Sequence, residues 1–137
     1  MTDPSTRRAL VAGWFLLAVF LPLGLTLEAL HALKVPIYLD APLRRELWTI
    51  AHAHGNLLGI LCLVYANLAE RSFSDEAVRR SLSLWLRIGA VLMPAGFLLG
   101  GVLNAEGDPS IGIALVPVGG LALLYALVRA GWAALRE

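Results

Sequence analysis

The sequence predicts an all-α integral membrane protein, a four-helix bundle running up-down-up-down as a single transmembrane domain over residues 1–137. Three observations carry this reading. The composition is 58% hydrophobic and 15% charged, with mean hydropathy +0.74, against roughly 25% charged residues in soluble domains. The charges are bunched into short segments between long apolar runs. Each of the four runs approaches the ~20 residues that cross a hydrocarbon core as helix, and helices joined by short connections run antiparallel to their neighbours. A transmembrane barrel needs about eight strands of alternating polarity, and unbroken apolar runs supply no alternation.

Taken in order, residues 1–8 read as a short polar tail with Pro4, Arg7 and Arg8. The first span covers residues 9–33, of which 9–27 carry no charge. Two arginines before an apolar run imitate a signal peptide, but no small-x-small cleavage pattern follows, so the span is read as retained. Glu28, His31 and Lys34 stand three residues apart, which puts them on one helix face as the span ends. Residues 35–45 read as a loop interrupted by Pro36 and Pro42, with Tyr38 and Asp40 between them. The second span covers 47–69 and carries both remaining histidines in its first two turns. A charged connection, 70–81, leads to the third span, 82–103, with Arg87 near its start and Pro94 inside, where a kink is expected. Residues 104–110 form a turn in which Asp108 before Pro109 looks like a helix N-cap. The fourth span covers 111–128, with a second kink expected at Pro117, and residues 129–137 continue as helix on the membrane surface.

Lys and Arg set the orientation. Arg7, Arg8, Arg71, Arg79, Arg80, Arg87, Arg129 and Arg136 share a side with both termini; Lys34, Arg44 and Arg45 lie opposite. The excess places both termini in the cytoplasm. Trp14, Trp85 and Trp132 then fall near the cytoplasmic interface and Trp48 near the outer one, as aromatic belts require.

At 1.5 Å per residue, counting from the span ends brings Glu28, His31, His52, His54, Asn56, Asn104, Glu106 and Asp108 to one level near the outer leaflet. The cytoplasmic half holds almost nothing ionisable except Arg87. His52 and Asn56, four apart, share a stripe with Gly55, Gly59, Cys62 and Ala66, so they are expected to face inward. His54 lies about 200° around from His52 and looks elsewhere, one ring facing the first span and the other the fourth span or a neighbouring subunit. Glu28-x-x-His31 matches one ligand pair of a di-iron bundle. Joined by His52 or His54 it offers two histidines and a carboxylate, a set known for non-haem iron and for zinc. The expected metal ligands are thus Glu28, His31, His52 and His54, for iron, copper or zinc. Alternatively His31 and an inward histidine ligate a haem, with room at Gly55 and Gly59 and orientation from Asn56. Beside these stands a plain reading, a hydrogen-bonded polar layer whose groups satisfy one another where water is near.

Other classes are excluded or unsupported. A net charge of +1 with no basic cluster gives no nucleic-acid partner. The single cysteine, Cys62, forms no intramolecular disulfide and reads as a small packing residue. Tyr65 and Tyr125 read as packing residues, and Gly100-Gly101 and Gly119-Gly120 as close helix contacts. No nucleophile stands with the histidines, so no catalytic residue is assigned and the chain is not read as an enzyme on its own.

The run Ala51-His-Ala-His-Gly-Asn-Leu-Leu-Gly59 resembles the His-x-His-x-Asn-Leu-Leu-Gly helix of small four-span bacterial membrane proteins, some of which look distantly like pieces of the haem–copper oxidase catalytic subunit, subunit I. Leu27-Glu-Ala-Leu-His31 and Lys34-Val-Pro-Ile-Tyr-Leu-Asp40 also look like a recurring pattern of a bacterial group. The resemblance implies the bacterial inner membrane; haem is one reading of the histidines and is not carried over from it. Complete oxidase subunits carry histidines on several helices, whereas the third and fourth spans here have none. The expected function is a metal- or haem-binding membrane protein, an electron-transfer or respiratory accessory component, with the bilayer and other membrane subunits or further copies as partners. The alternative is a non-catalytic structural or assembly subunit. A third reading, a small proton-coupled transporter relaying through Glu28 and the histidines, finds no charged path continuing to the cytoplasmic side.

Overall fold

The computed structural model describes residues 3–102, 104, 105 and 107–136. It is an all-α four-helix bundle, with four helices long and apolar enough to cross a membrane. α1 spans Pro4–Ala32, a short α2 spans Pro36–Leu39, α3 spans Pro42–Ser72, α4 spans Glu76–Gly100 and α5 spans Leu115–Ala134, entered through a 3-10 turn at Ile111–Ala114.

Each long helix starts where its local chemistry dictates. Asp3 caps α1, its carboxylate accepting from the Ser5 backbone N–H at 2.8 Å, with Pro4 in the first turn where its missing N–H costs nothing. The expected polar tail is therefore the first turn of α1, and the Asp3-Pro4 start signal outweighs the two arginines behind it. Pro42 likewise stands in the first turn of α3, which has no side-chain cap and starts five residues before the expected second span. Asp75 caps α4 through the Ala77 N–H at 2.7 Å, so residues 76–81 are helix and not connection. Asp108 does not cap the last helix. It pairs with Ala105, and Ser110 takes the cap position of the 3-10 turn, its hydroxyl donating to Leu99 O at 2.6 Å and capping no backbone N–H. α5 runs on to Ala134, so the expected surface segment is its last turns.

α1 ends earlier than Lys34. Val35 N–H donates to Leu30 O and Lys34 N–H to His31 O, a Schellman stop that holds Lys34 at φ 52. Lys34 thus leaves the helix and does not share the face of Glu28 and His31. Pro22 lies inside α1 as Pro94 lies inside α4, and each leaves the carbonyl four residues earlier without its helical donor.

α3 and α4 are central. α1 packs along α3 and touches α4, and α5 packs along α4. Small residues permit the close approaches. Gly13 lies against the Gly59 carbonyl between α1 and α3, and Gly119 lies against the Met93 backbone between α4 and α5. Leu16, Phe20, Ala51, Leu58, Cys62, Leu86, Ala90, Leu123 and Ala126 form the buried core. The long helices also turn large apolar side chains outward, among them Phe15, Leu25, Leu57, Val91, Leu121 and Val128.

Candidate functional site

The contacts of α3 fix the depth of the histidines. Along α1 and α3 they run in opposite order: Thr6 meets Glu70, Gly13 meets Gly59, Phe20 and Gly24 meet His52. His52 is thus level with Gly24. Glu28 and His31 stand four and seven residues further along, about 6 and 10 Å at the helical rise. The expected single layer resolves into two tiers.

The deeper tier holds His52, Asn56 and His54. His52 Nδ1 lies 2.7 Å from the Phe20 carbonyl oxygen, and the ring covers Gly24, where a Cβ would collide with it. A carbonyl only accepts, so Nδ1 carries the proton and Nε2 the lone pair. Asn56 Nδ2 is 3.1 Å from the same Nδ1 and 2.9 Å from the His52 carbonyl oxygen. With Nδ1 already a donor, the Asn56 bond goes to the carbonyl. Its Oδ1 is buried without a partner among the described residues. His54 Nδ1 lies 3.0 Å from Ile50 O, which fixes the same tautomer, and its ring is tilted against Phe97 of α4 with centroids 5.1 Å apart. His52 and His54 do point to different helices, as the 200° separation requires, but His54 turns to the third span and not to the fourth. No described residue bonds either Nε2.

The space expected for a flat cofactor is filled. The Phe20 ring occupies the position a Cβ on Gly55 would take, and Gly59 faces the Gly13 carbonyl and Leu16. The small-residue stripe lets α1 and α3 interlock at side-chain depth, a use of small residues that spacing alone does not separate from a cofactor slot.

The upper tier is an open groove between the end of α1, α2 and the start of α3, lined by Glu28, His31, Tyr38, Arg45, Glu46 and Thr49. The His31 ring stands edge-on to Tyr38 at 6.3 Å. Glu28 and His31 are thus brought together, without His52 or His54. Among the described residues no group of three or more His, Cys, Asp and Glu is placed to hold a metal ion, so the expected ligand set does not converge. Glu106 lies outside the described residues.

Two side chains whose partners the sequence does not reveal lock this end. Arg44 donates through Nε to Gly101 O at 2.9 Å, through Nη1 to Ile37 O at 2.8 Å and through Nη2 to Asn104 Oδ1 at 3.3 Å. Trp48, expected in the outer aromatic belt, donates Nε1–H to Leu98 O at 3.1 Å and covers Gly101. Helix ends leave carbonyls without donors, and both side chains supply them across α3 and α4.

The opposite end, where the sequence places the polar tail and the charged connection 70–81, carries a denser network. Asp3 and Arg79 form an ion pair at 2.9 Å. Glu70 accepts from Asp3 N–H at 2.9 Å and from Thr6 Oγ1 at 3.2 Å. Arg79 also donates to Phe73 O and Ser74 O, Tyr65 donates to Arg79 O at 2.6 Å, and buried Ser83 donates to Ser5 O at 2.6 Å. The Asp3 carboxyl is held below its ordinary value of 3.8, chiefly by the Ser5 backbone N–H and then by Arg79, against burial. Glu70 and Arg79 lie in the connection read as charged, but Asp3, Thr6, Ser5 and Ser83, which complete the network, come from segments distant from it or from one another in sequence.

No family model, curated protein or solved structure matches the chain. Its chemistry is therefore read from these contacts.

Proposed function

We propose that the chain is a multi-pass protein of the bacterial inner membrane, threaded up-down-up-down with both termini cytoplasmic, that serves as a non-catalytic structural or assembly subunit of a membrane complex. The outward apolar side chains of four long helices support insertion, since a soluble bundle turns polar groups outward. The charge asymmetry supports the orientation, and the His-x-His-x-Asn-Leu-Leu-Gly resemblance supports the bacterial membrane. The observation that carries the structural role is the His52 Nδ1 contact with Phe20 O over Gly24. The inward histidine acts as a bolt between α1 and α3.

A second reading is favoured by one observation. Both α3 histidines hold Nδ1 on a backbone carbonyl and leave Nε2 unbonded, the arrangement that second-shell carbonyls impose on metal-ligating imidazoles. On this reading His52 and His54 each give one ligand to haem, iron, copper or zinc, with His31 and Glu28 in the outer groove and further ligands from a partner subunit.

One pair of variants separates the two. His52→Asn keeps an N–H donor near the Nδ1 position and removes Nε2; His52→Ala removes both. For a bolt, purified protein in detergent is colourless and metal-free, His52→Ala lowers the melting temperature, and His52→Asn restores most of the loss. A visible chromophore or stoichiometric metal that disappears in His52→Asn would reject the structural role in favour of the ligand.

A further inference from the structure

We infer that the groove between α1 and α4 is a binding site for an anionic phospholipid of the cytoplasmic leaflet, with Arg87 recognising the phosphate. The inference rests on the membrane reading above. The groove is lined by Ala12 of α1 and by Arg87, Ile88, Val91 and Leu92 of α4. Four of these are apolar, and the fifth is the only cation set among them.

Arg87 stands eleven residues after Glu76 along α4, about 16 Å at the helical rise, and five residues inside the apolar stretch that begins at Leu82. An ionised side chain at that depth is expensive unless it is paired or reaches the interface. The expected relief is snorkelling, and the structure shows its direction: Arg87 Nε donates to Ser83 O at 3.0 Å, one turn back toward the Asp3–Arg79 end. The guanidinium has no carboxylate partner among the described residues. The acids toward that end have other partners, Asp3 with Arg79, Glu70 with Asp3 N–H and Thr6, and Glu76 with Arg80. A fork of N–H donors is left beside an apolar channel, aimed toward the charged end of the bundle.

The occupant follows from that combination. The apolar wall suits an acyl chain, and a guanidinium matches phosphate oxygens bidentately. On α1, Arg8 precedes Ala12 by one turn on the same stripe and is exposed, which adds a second positive charge on the headgroup side. A neutral phospholipid offers the acyl chain without net negative charge, and a free phosphate offers the charge without the chain; the site as built calls for both.

The test uses the full-length protein in mild detergent, titrated with phosphatidylglycerol, phosphatidylcholine or glycerophosphate and followed by native mass spectrometry and thermal unfolding. Phosphatidylglycerol is expected to bind and stabilise in preference to phosphatidylcholine, with glycerophosphate inert. Arg87→Gln is expected to reduce the preference about fivefold, the worth of one cation beside an anionic lipid surface, and Arg87→Lys less. Val91→Trp, at an outward position that leaves the core alone, is expected to block the groove with Arg87 intact. Equal binding of the two lipids, glycerophosphate binding as well as the lipid, or unchanged preference in folded Arg87→Gln and Val91→Trp would each overturn the site. Failure of the membrane reading is recognised separately, by a chain that alkaline carbonate strips from cell membranes.

Discussion

At the scale of single residues, glycine is where the bundle is least forgiving. A Cβ on Gly55 would meet the Phe20 ring, and one on Gly24 the His52 ring; both rings belong to the α1–α3 interlock and cannot withdraw without opening it. Gly55→Ala is expected to cost about 1–3 kcal/mol by overpacking. Gly131, on α5, has nothing within 4 Å of its Cβ position, so Gly131→Ala is expected to stabilise by about 0.5–1 kcal/mol through helix propensity alone. Melting of the two variants in one detergent measures the contrast, and equal effects would mean that α1 and α3 are not interlocked. From sequence the two glycines look alike, because a helical spacing names the stripe but not the neighbour that fills it.

At the scale of elements, the ends of α1 and α3 decide how the helices are held. The start of α1 is clamped to α3 and α4 by Asp3, Thr6 and Ser5, and the start of α3 is clamped to the end of α4 by Arg44 and Trp48. Asp3→Asn keeps an N-cap acceptor and removes the charge facing Arg79. The Asp3 carboxyl titrates below its ordinary value in the folded protein, so the unfolded chain takes up its proton first as pH falls. The stabilisation from this group is present in full above the unfolded value and disappears as pH drops through the folded one. The wild-type advantage over Asp3→Asn should therefore be constant from about pH 7 to 5 and shrink below about pH 4. Unfolding of both proteins across that range measures it; a gap that widens in acid would contradict the ion pair. None of these clamps is read from the sequence: residues 1–8 look like a tail, and the Asp-Pro cap expected at Asp108 forms at Asp3 instead. Arg44 looked like one of two equivalent loop arginines, and its three carbonyl and amide partners lie on segments up to 60 residues away.

At the scale of the whole molecule, the arrangement α1–α3–α4–α5 leaves the outer faces of the flanking helices apolar, which is stable only where lipid or another membrane helix covers them. The proposed threading has a direct check. In a Cys62→Ala background, single cysteines at Leu33 and Leu135, both strongly exposed, lie beyond opposite ends of the bundle. A membrane-impermeant maleimide applied to intact cells should label Leu33→Cys, and Leu135→Cys only after lysis. The reverse pattern would invert the orientation, and labelling of both would deny that the chain crosses the membrane an even number of times with its ends inside.

The sequence by itself determined the four apolar helices, their order and the residues that stand out within them, because hydrophobic length and charge segregation are local properties of the chain. It also separated His52 from His54, since helical periodicity alone turns them apart. Only the tertiary structure decided what those residues touch. Whether a glycine stripe admits a cofactor or a neighbouring ring, and whether a histidine waits for a ligand or bonds a carbonyl, depends on which helix comes to lie opposite and at what height. That register is set by packing between segments far apart in sequence. It turned one expected polar layer into a histidine tier held on backbone carbonyls and an open groove above it, with a charged network at the other end.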